Sequence, residues 1–402
     1  MESLLVGTDA QTLLDPFSGS GTAPLTAGSL GMDATGIELM PIGNLLAGAI
    51  SAASNGLKRQ DFLEAADGLL EALAGEDYNP DLMFPHVPIT EHAFPDQTER
   101  DLAKAREFMA GVADHSLRSV LTLACVSILE EISYTRKDGQ FLRWDPQSGR
   151  DVKPKLHKAS LPTLGEALSR RIGEMADDLA VLKDKYGGTA PEFIEGSSLY
   201  ELQRLPDNGF DVVVTSPPYA NRYDYTRIYA LELAYMGYDA ARLKELRQVL
   251  LSATVENRSK REQLQRDYGQ TAKVSQALEM ADGQTALQEA LGVLNREAKN
   301  LSNRNVIDLV ENYFTEMALV VIELGRLVPP GGHVYMVNDN VRYHGEEVPV
   351  DLILSDFAEQ SGFRCESIWT LNRGKGNSSQ QMGRFGRKEL RKCVYHWRKS
   401  DG

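Results

Sequence analysis

Thr12-Leu13-Leu14-Asp15-Pro16-Phe17-Ser18-Gly19-Ser20-Gly21-Thr22 is the stretch on which the fold turns. Thr12 to Phe17 is a short, largely apolar run ending in a glycine-rich turn, Ser18 to Thr22. Such a run followed by such a turn is how a buried strand hands its chain to a helix. Pro24 marks the helix start, because proline fits a first helical turn, where its missing N–H costs nothing. Ala34 to Leu39 is a second short strand. Strand, turn, helix and strand in immediate succession predict the opening of a parallel α/β sheet.

The pattern then changes. From Lys58 to Tyr186 the residues look mainly helical, broken by Pro80, Pro85, Pro88 and Pro95. Glu99 to Ile132 reads as a helical run and Tyr134 to Gly139 as a turn. Strands resume at Phe193 to Gly196 and at Phe210 to Thr215. Ala240 to Asn300 is rich in good helix formers and predicts a helical hairpin or clamp projecting from the domain. A helix at Val306–Leu327, a strand at His333–Val337, a helix at Asp351–Gln360 and strands near Ile368 and Val394 complete the sheet. The expected organisation is α/β: sheet-domain pieces 1–57, 191–239 and 306–402, with two largely helical insertions at 58–190 and 240–305. The first insertion is a candidate recognition region.

Composition narrows the classes. The 402 residues are 42% hydrophobic and 25% charged, enough for an ordinary buried core. Cys125, Cys365 and Cys393 form no C-x-x-C pair, and the seven histidines show no ligand spacing, so neither a disulfide framework nor a metal site is predicted. No apolar run is long enough to cross a bilayer and no secretion signal is evident, so a cytoplasmic protein without a membrane partner is expected. The net charge of −14 opposes non-specific adhesion to nucleic acid. The chain end runs the other way, with Arg373, Lys375, Arg384, Arg387, Lys388, Arg391, Lys392, Arg398 and Lys399. It is either a phosphate-contacting face or a solvated strand and tail.

Two motifs carry chemistry. The glycine spacing after Asp15 is not G-x-G-x-x-G, and no Walker lysine follows, so the turn is not read as a phosphate cradle. An adenosyl cofactor without phosphates needs the same close backbone approach. Asp15 can then accept from an ammonium, backbone groups from Gly19 to Thr22 can meet a carboxylate, and Glu38 can hold ribose hydroxyls. The plain alternative is a turn that only packs a helix on a strand. The second motif is Ser216-Pro217-Pro218-Tyr219, directly after the buried-strand pattern Phe210 to Thr215. Two prolines fix an extended turn, in which the Pro217 carbonyl and Ser216 hydroxyl offer acceptors and Tyr219 a planar face. Together they make a slot for a flat heterocycle bearing an amino group. The plain alternative is a loop with a packed tyrosine.

In this order the two motifs resemble those of the amino-methyltransferases of DNA restriction–modification systems. Asp15 to Thr22 is similar to that family's cofactor motif, Gly36-Ile37-Glu38 to its acidic motif, and Ser216 to Tyr219 to its catalytic motif. The serine form resembles N4-cytosine enzymes, whereas adenine-N6 enzymes usually carry Asp or Asn there. Glu195-Gly196-Ser197 resembles the segment near the adenine. Gly376 to Gly383 and Arg391 to Tyr395 resemble the chain ends of cytosine-N4 members. The resemblance implies a Rossmann-like class I methyltransferase sheet, S-adenosyl-L-methionine as cofactor, and DNA as partner. It implies Asp15, Phe17, Gly19, Gly21, Thr22, Glu38 and Ser197 as cofactor contacts and Ser216, Pro217, Pro218 and Tyr219 as the catalytic set. The base would be rotated out of the duplex and methylated by direct displacement, without a covalent enzyme intermediate.

Two departures stand out. Family members with this motif order usually carry a cofactor-holding segment ahead of the glycine turn, where here only Met1 to Gln11 precede it. A second polypeptide or the C-terminal region is the expected substitute, and a restriction or defence protein is a further expected partner. Ser197 also stands where an acidic residue is common. Rival readings are an N6-adenine DNA enzyme, an RNA base amino-methyltransferase and a non-catalytic nucleic-acid-binding subunit of the same fold. Among candidate recognition residues, the Arg136-Lys137 turn is favoured. Tyr223, Tyr225 and Tyr229 either line the slot or pack in the core, with packing expected for at least two, and Arg222 and Arg227 are either phosphate contacts or ordinary surface arginines.

Overall fold

The structure, a computed structural model, describes residues 9–76, 78–139, 141–145, 161–185, 190–371, 385–386 and 389–401. Met1 to Thr8, Gly376 to Gly383 and the basic residues Arg373, Lys375, Arg384, Arg387 and Lys388 lie outside the described residues. The strands in chain order are β1 (Thr12–Asp15), β2 (Asp33–Glu38), β3 (Thr135–Asp138), β4 (Phe141–Trp144), β5 (Glu192–Glu195), β6 (Val212–Thr215), β7 (His333–Asp339), β8 (Val341–Tyr343), β9 (Glu346–Val348), β10 (Phe363–Leu371) and β11 (Lys392–Lys399). The chain divides into two compact units, one of Met1–Leu39, Pro191–Tyr223 and Gln248–Gly402, the other of Met40–Ala190 and Asp224–Arg247.

The first unit is built on a seven-stranded mixed sheet in the order β10-β11-β7-β6-β1-β2-β5. The pairs β5–β2, β2–β1, β1–β6 and β6–β7 are parallel, while β11 runs antiparallel to both β7 and β10. From β1 the chain builds outward through β2 and β5, then returns to lay β6 on the other side of β1. A reversal of this kind opens a crevice at the carboxyl ends of the two central strands. The side chain of Asp211 pins their register: it accepts from the Thr12 N–H (3.0 Å) and hydroxyl (3.0 Å), while the Asp211 N–H donates to that hydroxyl (2.8 Å). Leu13, Leu14, Val212 and Val213 are fully buried, as strands covered on both faces must be.

Helix Val306–Leu327 backs the sheet and is buried along most of its length. The region 240–305 does not project as expected. Its helices Arg261–Asp267, Thr271–Gly283 and Thr285–Arg296 share one core with that long helix, through Leu264, Val274, Met280, Leu287, Leu291 and Leu294 against Val310, Phe314 and Met317. Leu287, Ala290, Leu291 and Leu294 recur at helical spacing and form a buried stripe. The charges of this region are partly internal. Lys260 pairs with Glu316 (2.8 Å) and Lys273 with Glu323 (2.8 Å), and both acids are buried on the long helix.

The second unit is mainly helical around its own core of Phe62, Leu69, Leu102, Leu121, Cys125, Leu168 and Leu231. Its limits differ from the predicted 58–190. Helix Pro41–Ser54 belongs to it, because Ala49, Ala52 and Ala53 pack in the same cluster as Val120 and Leu121. Asp224–Arg247 belongs to it as well, through Ala230, Leu231, Ala234 and Tyr235. The run Glu99 to Ile132 is two helices, Asp96–Gly111 and His115–Ile128; Asp114 caps the second by accepting from Ser116 N–H (2.8 Å) and Leu117 N–H (3.1 Å). Tyr134 to Gly139 is not simply a turn. Thr135–Asp138 is a strand, paired antiparallel with β4. Among the described residues, no helix is long and apolar enough to cross a membrane.

Candidate active site

Both sequence motifs fall in the sheet unit, at the carboxyl ends of neighbouring strands. Asp15 ends β1, and Thr215, next to Ser216, ends β6. The Thr215 hydroxyl donates to Asp15 Oδ1 at 2.7 Å across a sequence separation of 200 residues. The Phe17 N–H donates to the same oxygen at 3.1 Å. Asp15 is buried, and burial pushes its carboxyl up to about 7. The hydrogen bonds from Thr215 and Phe17 work against that rise, and the nearby Glu38 adds to it. A carboxyl group in that state gains most from a cation placed beside it.

The glycine turn has the form that the sequence predicts. Gly19 (φ 53°) and Gly21 (φ 75°) both take left-handed backbone, which residues with a side chain avoid. Gly21 caps helix Thr22–Ser29, accepting from the Leu25 N–H at 2.9 Å, and Pro24 sits in the first turn. The turn is bound to β2 by the Ser18 N–H donating to the Ile37 carbonyl (3.0 Å). A β-carbon on Gly36 would lie 2.9 Å from the Ser18 β-carbon, so the strand beneath the turn needs a glycine there. A β-carbon on Gly19 would lie 4.0 Å from Glu38 Oε2, so the Glu38 carboxylate comes up beside the turn.

The third strand end joins the same edge. The Gly196 N–H donates to the Glu38 carbonyl (2.9 Å), which sets Ser197 just past the end of β5. Ser197 is buried; its backbone carbonyl accepts from Tyr200 N–H (2.8 Å) and Glu201 N–H (2.9 Å). The Ser198 hydroxyl donates to the Pro16 carbonyl, tying this segment to the glycine turn. Asp15, Phe17, Gly19, Gly21, Thr22, Glu38 and Ser197 are thus gathered on three adjacent strand ends. A buried acid, a second acid and a turn of positive-φ glycines suit the ammonium, the ribose diol and the backbone approach that S-adenosylmethionine requires.

Beside them, Ser216 to Tyr219 leaves β6 as an extended segment with no regular structure. Ser216 is exposed, Pro217 is buried, and Pro218 and Tyr219 are half-buried. The Ser216 hydroxyl and the Tyr219 hydroxyl lie 3.0 Å apart in a hydrogen bond. Below the loop, Tyr343 donates its hydroxyl to the Ala220 carbonyl, and the Asn221 N–H donates to the Tyr219 carbonyl (2.7 Å). Lys392 Nζ lies 5.7 Å from the centre of the Tyr219 ring, within cation–π range.

Thr215 and Tyr343 were not singled out from sequence, and Lys392 was read only as part of the basic chain end. Thr215 carries a usable signal, as the last residue of a strand whose loop was already of interest. Tyr343 and Lys392 gain their roles only from pairings far along the chain. Other members of the basic end are engaged within the fold: Arg391 pairs with Asp351 (2.8 Å) and Lys399 Nζ donates to the Ser361 carbonyl (2.9 Å). Cys125 and Cys393 are buried, and burial pushes both thiols up to about 12, which suits packing and not nucleophilic work. Among the described residues, no group of three His, Cys, Asp or Glu side chains is placed to hold a metal ion.

This is an α/β protein whose neighbouring strand ends bring a glycine turn and two acids beside a Ser-Pro-Pro-Tyr loop. Comparison with known proteins identifies the group. The chain is 40% identical to the type II methyltransferase M.BsoBI of Geobacillus stearothermophilus over 96% of its length and 80% of the relative's. It is 40% identical to the type II methyltransferase M.AvaI of Nostoc sp. and of Anabaena variabilis, over 97% of its length and 80% of theirs. The chain belongs to the family of S-adenosylmethionine-dependent DNA methyltransferases. No family model matches it.

Proposed function

We propose that this protein methylates the N4 amino group of cytosine at a defined site in DNA, on a Rossmann-like class I methyltransferase sheet, as the modifying half of a restriction–modification pair. The observation that carries the reading is the Thr215–Asp15 hydrogen bond, which joins the strand ends bearing the two motifs. S-adenosylmethionine, when bound, supplies an electrophilic methyl group. Asp15 receives the ammonium, Glu38 the ribose hydroxyls, and Gly19, Gly21 and Thr22 the carboxylate through their backbone; Phe17 and Ser197 flank the adenosyl part.

Tyr219 stacks on a base turned out of the duplex, since a paired amino group is out of reach inside the helix. The Ser216 hydroxyl and the Pro217 carbonyl accept from its two amino hydrogens and turn the nitrogen lone pair away from the ring plane. Pro218 keeps the loop extended, so these acceptors are in position before the base arrives. Positioning of this kind is the main source of acceleration in a direct displacement. Serine at position 216 favours the cytosine reading over N6-adenine.

The test is transfer from labelled S-adenosylmethionine to duplex DNA, single-stranded DNA and tRNA, with products digested to nucleosides and identified by mass spectrometry. N4-methylcytosine from duplex DNA is the expected product. Tyr219→Ala should lower the rate about 5- to 150-fold, the worth of one base–aromatic stack. N6-methyladenine would overturn the assignment drawn from Ser216 and leave the slot intact. Label in tRNA alone would move the reaction to RNA.

A further inference from the structure

The helical unit includes a two-stranded ribbon among its described residues. β3 and β4 form an antiparallel ribbon in which Arg136 stands directly opposite Arg143. Side chains directly opposite on neighbouring strands are close together, and like charges there destabilise the ribbon. Both arginines point to the outer face, at 46% and 58% side-chain exposure. Phe141, on the same face, is 41% exposed and lies 5.4 Å under the Arg143 guanidinium. The alternate residues face inward. Thr135 and Leu142 are buried, and Lys137 pairs with the buried Glu232 and lies 4.6 Å over the Tyr229 ring. The Lys137 N–H also donates to Glu130 Oε1 (2.9 Å). One face therefore anchors the ribbon, and the other presents two guanidinium groups side by side.

Each arginine has one acid beside it. Asp145 Oδ1 is 4.0 Å from Arg136 Nη1, and Asp138 Oδ2 is 3.6 Å from Arg143 Nε. Both distances exceed hydrogen-bond range, so each carboxylate offsets charge on its arginine without accepting a hydrogen bond across that contact. A two-stranded ribbon is one of the two shapes that enter a DNA major groove. There an arginine fork reaches the O6 and N7 of guanine, and an apolar side chain reaches a thymine methyl.

We propose that the outer face of the β3–β4 ribbon is a sequence-reading element for duplex DNA, with Arg136 and Arg143 each taking a guanine edge and Phe141 packing beside them. The proposal rests on the reading of this chain as a DNA-modifying enzyme, and its test separates the two. Duplexes with a randomised stretch are incubated with the full-length protein, and those retained are sequenced, a readout that needs no methyl transfer. The wild-type protein should enrich one motif. Arg136→Ala and Arg143→Ala should each relax a single G·C position of that motif, by about 5- to 150-fold, the range of one bidentate base contact.

Lysine variants decide between base and phosphate contact. Arg136→Lys keeps the charge and loses the planar fork, so it should relax the same position, less than the alanine variant does. An unchanged motif with evenly weaker binding, restored by lysine, would make these residues phosphate contacts and overturn the proposal. An unchanged motif at unchanged affinity would overturn it as well. Methyl transfer to the enriched duplex is scored separately; its loss in the wild-type protein would count against the proposed reaction, not against the ribbon.

Discussion

At the scale of a residue, Asp15 ties the sequence most closely to the chemistry. Its carboxyl lies at about 7 against an ordinary 3.8, chiefly because burial disfavours the anion. For an acid raised in this way, the folded protein keeps a proton that the unfolded chain has lost. The resulting stability is complete below pH 3.8 and is lost as the pH climbs through about 7. A cation bound beside Asp15 reverses the preference and expels the proton. Binding of S-adenosylmethionine near pH 7 should therefore release protons and tighten as the pH rises from 6 to 7, below the range in which the ligand's own amino group titrates. Titration calorimetry in two buffers of different ionisation enthalpy measures the release directly. Asp15→Asn should abolish it and flatten the pH dependence of affinity. A proton release that survives in the variant would show that another group meets the ammonium.

At the scale of an element, the helices after Gln248 hold to Val306–Leu327 by a buried ion pair that no local pattern announces. Lys260 Nζ lies 2.8 Å from Glu316 Oε1 and 2.9 Å from the Ser252 hydroxyl, and Glu316 also accepts from the Ser252 N–H (2.8 Å) and hydroxyl (2.6 Å). Removing only the lysine leaves a buried carboxylate without its counter-charge. Lys260→Met should cost about 3–5 kcal/mol in urea unfolding, and adding Glu316→Leu should recover much of it. A single-variant loss below about 1 kcal/mol would mean that the pair is dispensable to packing.

The same element shows where sequence reading fails. A helix's polar face and its paired face carry the same letters, so Lys260 and Lys273 read as solvent-exposed until Glu316 and Glu323 stand opposite them. Arg136-Lys137-Asp138-Gly139 has the composition of a turn, yet its first residues are a strand, because Leu142 and Lys137 are claimed by the helical core. By contrast, the glycine turn and the Ser-Pro-Pro-Tyr loop were legible at once. Their conformations are dictated by glycine and proline themselves, within a few residues.

At the scale of the whole molecule, what could not be read was which segments share a core. The Asp15–Thr215 contact spans 200 residues, and its two ends predict strands without predicting that they are neighbours. Helix Pro41–Ser54 follows β2 directly, yet belongs to the helical unit, since an alanine-rich face such as Ala49, Ala52 and Ala53 does not name its partner. The division into units nonetheless has an experimental signature. Every proposed cofactor contact lies in the sheet unit, and the proposed reading ribbon lies in the helical one. Hydrogen exchange should therefore separate two ligands. S-adenosylmethionine alone should slow exchange at Phe17 to Thr22 and around Glu38 and Ser197. At about 100 times its Kd it should also add about 2.7 kcal/mol to the stability of the fold it binds. Duplex DNA of the enriched sequence should add protection at Thr135–Asp138 and Phe141–Trp144, and a scrambled duplex at the same salt should not. Protection of the ribbon by the cofactor alone would mean that the two sites are coupled before DNA arrives, because a ligand can shift a distant element only through a difference in affinity between its states.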